Sequence, residues 1–156
     1  MSSLIEKVND FLSQKQIAVA GVSRHARGEA ANLIFKKLKE MGYQVYPINP
    51  KTDVVERERC YPNLTAIQVN IDGVVICTPP QAAEQLVKEC VELGIKRVWM
   101  HRSFGPGSVS DSAARLAEEK GLTVIAGACP MMYCKPVDFG HKCMRWLLGL
   151  LGKLPN

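Results

Sequence analysis

The sequence contains no apolar run of about 20 residues, the length that a membrane-spanning helix needs. Its first apolar segment, residues 4–12, is interrupted by charged and polar side chains, so we expect no secretory signal. The six cysteines form no Cys-x-x-Cys pair, which gives little support to a zinc site, and we predict no bound metal. Free thiols in apolar segments behave as small hydrophobes. Together these absences favour a reducing, cytoplasmic setting.

Clustered positive charge is lacking as well. Lys and Arg total 20 against 15 Asp and Glu, a net charge of +5, but the longest basic runs are the pairs Lys36-Lys37 and Lys96-Arg97. A nucleic-acid binder usually gathers its cations in a stripe, often with interleaved aromatic residues. The charge fits an anionic small molecule at least as well as DNA, and we predict a small-molecule ligand and no nucleic-acid partner.

Apolar runs alternate with segments of helical periodicity along the 156 residues, a length that suits one domain, 1–156. Helices are predicted between these runs and at both ends, over residues 3–14 and about 138–151. The short apolar runs are typical of strands buried on both faces. Five strands are predicted, over residues 17–20, 45–48, 73–77, 98–100 and 122–126.

The connections between these strands predict the fold class. No hairpin turn signal joins any two of the five strands, so crossover connections and a parallel sheet covered by helices are expected. The prediction is an α/β fold: a doubly wound, mostly parallel five-stranded sheet in three layers, Rossmann-like. Residues 78–81, Thr-Pro-Pro-Gln, predict a capping box with proline at the first helical position. Residues 52–70 are predicted to be a variable connection.

The loop after the first strand is the first candidate ligand contact, because open parallel sheets bind ligands beyond the carboxyl ends of their strands. Residues 21–26 read Gly-Val-Ser-Arg-His-Ala, which lacks the second and third glycines of a dinucleotide fingerprint. Gly21 can still form the tight turn, and Ser23 offers a hydroxyl and an amide to a phosphate. Arg24 and Arg27 add positive charge near a helix N-terminus. The alternative is a polar loop that only caps its helix.

The end of the second strand argues against NAD. The fingerprint requires Asp or Glu there for the ribose hydroxyls, and this sequence has Asn49-Pro50-Lys51. A lysine suits a phosphorylated ribose, because its ammonium is a compact charge. NADP, with a 2′-phosphate, and coenzyme A, with a 3′-phosphate, both carry one. An ordinary solvated lysine is the other interpretation.

Four segments, in consistent order and spacing, carry a family resemblance that covers roughly residues 15–132. They are Ala20-Gly21-Val22-Ser23, Tyr46-Pro47-Ile48-Asn49-Pro50-Lys51, Cys60-Tyr61-Pro62-Asn63-Leu64 and Cys129-Pro130. This combination resembles the stand-alone CoA-binding domain family, which is similar to the N-terminal domain of the succinyl-CoA synthetase alpha subunit.

The resemblance implies a Rossmann-type domain and a placement for coenzyme A. Its adenine and diphosphate would lie over residues 21–23, with Lys51 among the phosphate contacts. The pantetheine arm would pass residues 78–80 toward residues 129–130. The expected coenzyme A contacts are Gly21, Val22, Ser23, Arg24, Arg27, Asn49, Pro50, Lys51, Cys77, Thr78, Pro79, Pro80, Gln81, His101, Cys129 and Pro130.

The resemblance brings no reaction with it, since the phosphorylated histidine of that synthetase lies in a second domain. We predict no catalytic residues and a protein that binds coenzyme A or an acyl-CoA as a carrier or sensor. One alternative is an NADP-linked reductase, with Tyr133 or His101 as proton donor. Another is a redox-responsive module in which Cys77 or Cys129 forms a mixed disulfide with the ligand thiol.

The last predicted helix has an apolar side. We expect this side to pack onto the sheet, with a membrane surface or a homodimer contact as alternatives. Lys142 and Arg145 lie elsewhere on the helix. The residues of the apolar side are Phe139, Cys143, Trp146, Leu147 and Leu150.

Overall fold

A computed structural model describes residues 2–25 and 29–155 of the chain. In chain order the strands are β1 (Gln16–Ala20), β2 (Gln44–Ile48), β3 (Val54–Val55), β4 (Glu58–Arg59), β5 (Gly73–Ile76), β6 (Arg97–Met100) and β7 (Thr123–Ala126). The helices are α1 (Leu4–Leu12), α2 (Ala30–Glu40), α3 (Pro80–Glu92), α4 (Asp111–Glu119) and α5 (Phe139–Leu150). The five predicted strands and both predicted terminal helices are therefore present, with ends that differ by one or two residues.

The main sheet has the order β2-β1-β5-β6-β7, and every neighbouring pair is parallel. The chain crosses from β1 to β2 on one side and then returns to place β5 on the other side of β1. This is a doubly wound order, and it confirms the predicted Rossmann-like α/β fold. The order reverses between β1 and β5, so the carboxyl ends of these two strands mark the expected ligand crevice.

The core lies on both faces of the sheet, because alternate residues of each buried strand point to opposite faces. Val19, Val75 and Trp99 belong to the face that packs against α1 and α2. Ala18 and Val98 belong to the face that packs against α3 and α4. Helices thus cover the sheet on both sides in three layers, and the buried strands can be almost wholly apolar.

The start of α3 corrects the predicted capping box. The residue that precedes the first helical turn is Pro79, and no side chain among the described residues caps this helix. Thr78 lies one residue too early to be the N-cap, and Pro80 is the first helical residue. A capping box does occur at α1, where Ser3 and Glu6 exchange side-chain-to-backbone hydrogen bonds of 2.7 and 3.3 Å.

The segment predicted to be a variable connection contains a short hairpin. Strands β3 and β4 pair antiparallel, and the two residues that join them, Glu56 and Arg57, both have positive φ angles of 47° and 65°. Two-residue hairpin turns of this kind favour Asn and Gly, neither of which is present here. The sequence therefore carries no recognisable signal for this hairpin.

The orientation of α5 also differs from the expectation. Leu148 is the buried residue of this helix, and the apolar side predicted to pack onto the sheet faces solvent. The helix is instead held by Met144 and Leu148, which pack against the core on its opposite side. Within residues 2–25 and 29–155, no helix is long and apolar enough to span a membrane.

Candidate functional site

A close backbone contact forms the floor of the crevice, at the carboxyl ends of β1 and β5. Gly21 follows β1 directly with φ +97°, and its amide donates a hydrogen bond of 2.9 Å to the carbonyl of Ile48. A Cβ built on Gly21 would lie 2.9 Å from the carbonyl carbon and oxygen of Cys77. Only glycine fits both the φ angle and this approach, which gives a physical reason for the tight turn predicted there.

A cavity of 560 Å³ opens at this point. Seven of the residues predicted from the sequence line it: Gly21, Asn49, Pro50, Lys51, Cys77, Thr78 and Pro79. Nine further lining residues were not predicted as ligand contacts; they come from the last residues of β1 and β2, the start of α2, the segment after β4 and α3. These are Ala20, Glu29, Ile48, Pro62, Asn63, Ala82, Gln85, Leu86 and Glu89.

The charged groups of the cavity are mixed. Glu29 and Glu89 bring two carboxylates, and the one on Glu89 accepts a hydrogen bond of 3.1 Å from the backbone amide of Leu64. Among the described residues that line the cavity, Lys51 is the only cation, and it forms no ion pair with any described residue. Its exposed ammonium is therefore the lining group best suited to an anionic ligand.

Asn49 positions the loop that carries this lysine. Its side-chain amide donates a hydrogen bond of 2.9 Å to the carbonyl of Val22, and its side-chain oxygen accepts one of 2.9 Å from the backbone amide of Lys51. Its own backbone amide bonds to the carbonyl of Tyr61 at 2.9 Å. Asn49 thus ties the loop after β1 to the loop after β2, which fixes the backbone at Lys51.

Asn32, which the sequence analysis did not single out, holds the loop after β1 from the other side. This side chain of α2 is fully buried; its oxygen accepts from the Ser23 amide, and its nitrogen donates to the Ser23 carbonyl, both at 2.8 Å. The same nitrogen donates to the Glu56 carboxylate at 2.8 Å, and Lys36 pairs with that carboxylate at 3.0 Å. In the sequence, Asn32 could have been noticed as a polar residue among the apolar positions of α2.

One polar atom in the cavity wall lacks a partner. The Thr78 hydroxyl is buried and has no hydrogen-bond partner within the part of the chain that the structure describes. Buried hydroxyls in proteins are almost always satisfied, so this atom is an exception that an added partner would remove. The N-terminus of α2, which begins after Glu29, likewise has no side-chain cap from any described residue.

The thiols predicted to lie near the ligand are poor nucleophiles. Burial raises the pKa of the Cys77 thiol strongly, and the nearby Cys129 thiol adds to the shift. Burial also raises the pKa of Cys129. Since the thiolate is the reactive form, both side chains have the properties of structural cysteines.

His101 lies at the end of β6, outside the lining of the cavity. Its Nε2 is 3.2 Å from the Ser103 hydroxyl, and the ring is largely buried. Burial, with a smaller contribution from the neighbouring His141, lowers the pKa of His101 and disfavours its charged form. The polar tip of this histidine is therefore part of a local network with Ser103.

Several other predicted contacts also lie outside the cavity lining. Val22 is fully buried beneath the first loop, Ser23 and Arg24 continue that loop, and Arg27 falls outside the described residues. The remaining predicted contacts not in the lining are Pro80, Gln81, Cys129 and Pro130.

Within the described residues, no group of three or more His, Cys, Asp or Glu side chains is arranged to hold a metal.

The fold and the crevice define a Rossmann-like α/β domain with a cavity at the carboxyl ends of its strands. The chain belongs to the CoA-binding domain family, whose model, described as "CoA binding domain", matches residues 15–135. This match confirms the resemblance drawn from the sequence.

Similar proteins include two archaeal ligases and one solved structure. The chain is 32% identical over 117 residues to the alpha subunit of an ADP-forming acetate–CoA ligase II of Pyrococcus furiosus, which covers 74% of this chain and 25% of the subunit. It is 31% identical over 94 residues to the ADP-forming acetate–CoA ligase II of Archaeoglobus fulgidus, covering 59% of this chain and 14% of the ligase. A hypothetical protein from Pyrococcus horikoshii superposes with a TM-score of 0.76 at 31% identity, covering 83% of this chain and 89% of that one.

Only a small part of each of the two ligase sequences is similar to this chain. The chain spans between 14% and 25% of the length of these two curated relatives. The common part is the CoA-binding domain, while the solved structure is similar in both fold and length.

Proposed function

We propose that this chain binds coenzyme A in the crevice between β1 and β5 and catalyses no reaction of its own. The observation that carries the proposal is a 560 Å³ cavity at the carboxyl ends of β1 and β5, with Lys51 in its lining, in a member of the CoA-binding domain family. Ligand cavities in proteins usually measure about 300–1,000 Å³ and hold a few convergent polar groups. This cavity meets both conditions.

The residues present fit the groups that coenzyme A carries. Its diphosphate needs close backbone approach and positive charge, and Gly21 with the uncapped N-terminus of α2 offers the first. Lys51 offers a free ammonium to a phosphate. The Thr78 hydroxyl would gain a partner in the bound ligand, and its neighbours Cys77 and Pro79 present an apolar wall.

The other predicted contacts belong to the same proposal. The loop residues Val22, Ser23 and Arg24 would lie near the nucleotide. His101, Cys129 and Pro130 would lie toward the thiol end of the ligand. A single domain spanning the whole chain, a cytoplasmic setting and a role as carrier or sensor stay predictions from the sequence.

The two alternatives have weaker physical support. In a reductase, Tyr133 or His101 would have to donate a proton. Tyr133 is buried against Trp99 and Arg145, and burial raises its pKa. Burial lowers the pKa of His101, which disfavours the protonated form that a proton donor needs. In a redox-responsive module, Cys77 or Cys129 would have to ionise, which their burial opposes. Coenzyme A binding requires neither group to react.

Thermal unfolding with a series of ligands tests the proposal. We expect coenzyme A to stabilise the protein more than ADP does, and NAD to have little effect. Ligand at about 100 times its dissociation constant should add about 2.7 kcal/mol to the free energy of unfolding. Equal or greater stabilisation by NADPH would contradict the proposal and favour the reductase.

Comparing coenzyme A with acetyl-CoA at matched concentrations would show whether the site also accepts an acyl group.

A further inference from the structure

The solvent-facing side of α5 carries an apolar stripe, formed by Phe139, Cys143, Trp146 and Leu150. The exposed fractions are 82% for Phe139, 67% for Trp146 and 65% for Leu150, and Cys143 is exposed as well. The four residues follow one another at intervals of four, three and four positions, so they lie along one line of the helix. Large apolar residues grouped in this way mark a contact surface.

The opposite side of α5 already holds the helix on the protein. Leu148 is 2% exposed and packs in the core together with Met144. Arg145 donates a hydrogen bond of 3.3 Å to the carbonyl of Met132, and its guanidinium lies 5.3 Å from the centre of the Tyr133 ring. The stripe is therefore a second apolar surface, on a helix that already packs on the protein through its other side.

We infer that this stripe binds a second copy of the same chain through an antiparallel pair of α5 helices. Alternating spacings of three and four residues are those of helices that pack along a shared seam. The centre of the stripe lies between Cys143 and Trp146. A two-fold axis there would set Cys143 against Trp146 of the second copy and Phe139 against Leu150 of the second copy. The small Cys143 then faces the large Trp146, and the same surface serves both chains.

The area of the surface is sufficient for a dimer. Large aromatic side chains bury about 150–250 Å² each, so the exposed parts of the stripe and its neighbours Leu147 and Leu151 amount to about 500 Å² per chain. Two copies would bury about 1,000 Å², which is the size at which specific interfaces begin. Gly140 and Gly149 border the stripe and have no side chain to hold another helix away.

The charges around the stripe favour a second copy over a membrane. The stripe itself contains no charged residue, so pairing two copies opposes no like charges along the seam. Residues 139–155 contain three cations, and Arg145 is engaged with Met132 and Tyr133. Lys142 and Lys153 remain, which is fewer than the four to eight clustered cations of lipid-binding basic segments.

Sedimentation equilibrium of the full chain tests this inference. At about 100 µM we expect the wild type to approach twice its 17.2 kDa mass, and Leu150→Glu to sediment as a monomer with dimer affinity at least about tenfold lower. Leu93→Glu is the matched control, because Leu93 is 46% exposed at the end of α3, away from the stripe, and this variant should stay dimeric. Circular dichroism of each variant checks that the fold is intact.

A measurement on the unaltered chain supplements the variants. Cys143 is the only exposed residue among the six cysteines, so its reaction with a maleimide should slow as protein concentration rises.

A wild type that is monomeric at about 100 µM, a Leu150→Glu variant that stays dimeric, or a Leu93→Glu variant that dissociates would each overturn the inference. So would a monomeric wild type that binds phosphatidylserine vesicles through this stripe, since it would assign the stripe to a membrane.

Discussion

Gly21 and Cys77 meet backbone to backbone, with room for no Cβ between them: an added Cβ on Gly21 would lie 2.9 Å from the Cys77 carbonyl carbon and oxygen. The contact joins the carboxyl ends of β1 and β5 at the place where the strand order reverses. It brings the first loop next to Thr78, the residue with the unpartnered hydroxyl. The shape of the proposed ligand site therefore depends on this one approach.

Alanine substitutions of Gly21 and Gly42 should distinguish the free-energy cost of a clash at this contact from the cost of a positive φ angle. Gly42 has a similar φ angle, +91° against +97°, but no described atom lies within 4 Å of an added Cβ there. Gly42→Ala should therefore cost only the strain of a positive φ, about 1–2 kcal/mol in urea unfolding. Gly21→Ala should cost about 1–3 kcal/mol more, because the added Cβ collides with fixed backbone, and it should lose coenzyme A binding. Equal losses of stability in the two variants would show that the close approach is unimportant.

Thr78→Val should change stability and binding in opposite directions. In the free protein the substitution removes a buried hydroxyl without a partner, so the free energy of unfolding should stay equal or rise by about 1 kcal/mol. If the ligand satisfies that hydroxyl, the same change should weaken coenzyme A binding about tenfold. Urea unfolding and calorimetric titration measure the two effects. A destabilised variant with unchanged affinity would show that Thr78 has a structural partner and no contact with the ligand.

The carboxylate of Glu56 should make stability depend on pH in the acid range. The hydrogen bond from Asn32, together with the Lys36 ammonium, lowers the pKa of Glu56 from its ordinary value near 4.5. Its stabilising contribution is therefore present above that value and is lost as the pH falls through the lowered folded-state pKa. Glu56→Gln should reduce the free energy of unfolding at pH 7, and its difference from wild type should shrink as the pH falls below 4.5.

Acid unfolding of a second variant controls for general charge effects. Glu118→Gln alters an exposed residue of α4 and should follow the wild type over the same pH range. A Glu56→Gln variant whose deficit is constant from neutral to acid pH would contradict the role given to the carboxylate. In that case the hairpin and the first loop would be held together by other contacts.

The sequence was sufficient to predict the sheet and the position of the crevice, but fewer than half of the residues that line it. Strands β1 and β5 are continuous apolar runs because both of their faces are covered, and their carboxyl ends must then lie side by side in a parallel sheet. Lys51 could be predicted to lie at the crevice because its position after β2 is one where nucleotide-binding folds contact the ribose. Local pattern and fold rules are enough for such positions.

Other features depend on tertiary contacts that a sequence pattern does not report. The polar side chain of Asn32 is buried because it bonds both the Ser23 backbone and Glu56, residues far apart in the chain. The hairpin turn at Glu56 and Arg57 lacks Gly and Asn. The hydrogen bond from the Asn32 side chain to the Glu56 carboxylate stabilises this turn. Helix α5 is apolar on two sides, so periodicity alone could not tell which side is buried.

Calorimetric titration of coenzyme A into wild type, Lys51→Ala and Lys96→Ala tests whether the crevice binds this ligand. Lys51 is the cation among the described residues that line the cavity, whereas Lys96 is an exposed lysine directly before β6, at the amino ends of the parallel strands and away from the crevice. Charge-assisted hydrogen bonds contribute about 1.5–3 kcal/mol, so Lys51→Ala should weaken binding by about one to two orders of magnitude, and Lys96→Ala should bind as wild type does.

The same titration with dephospho-CoA locates the contact. If Lys51 binds the 3′-phosphate, the Lys51→Ala variant should bind coenzyme A and dephospho-CoA about equally; if it binds the diphosphate, both should weaken together. The account predicts binding of coenzyme A by the wild type and its weakening in Lys51→Ala alone. A wild type that does not bind coenzyme A, or a Lys51→Ala variant that binds it as tightly as wild type at low salt, would contradict the placement of the site.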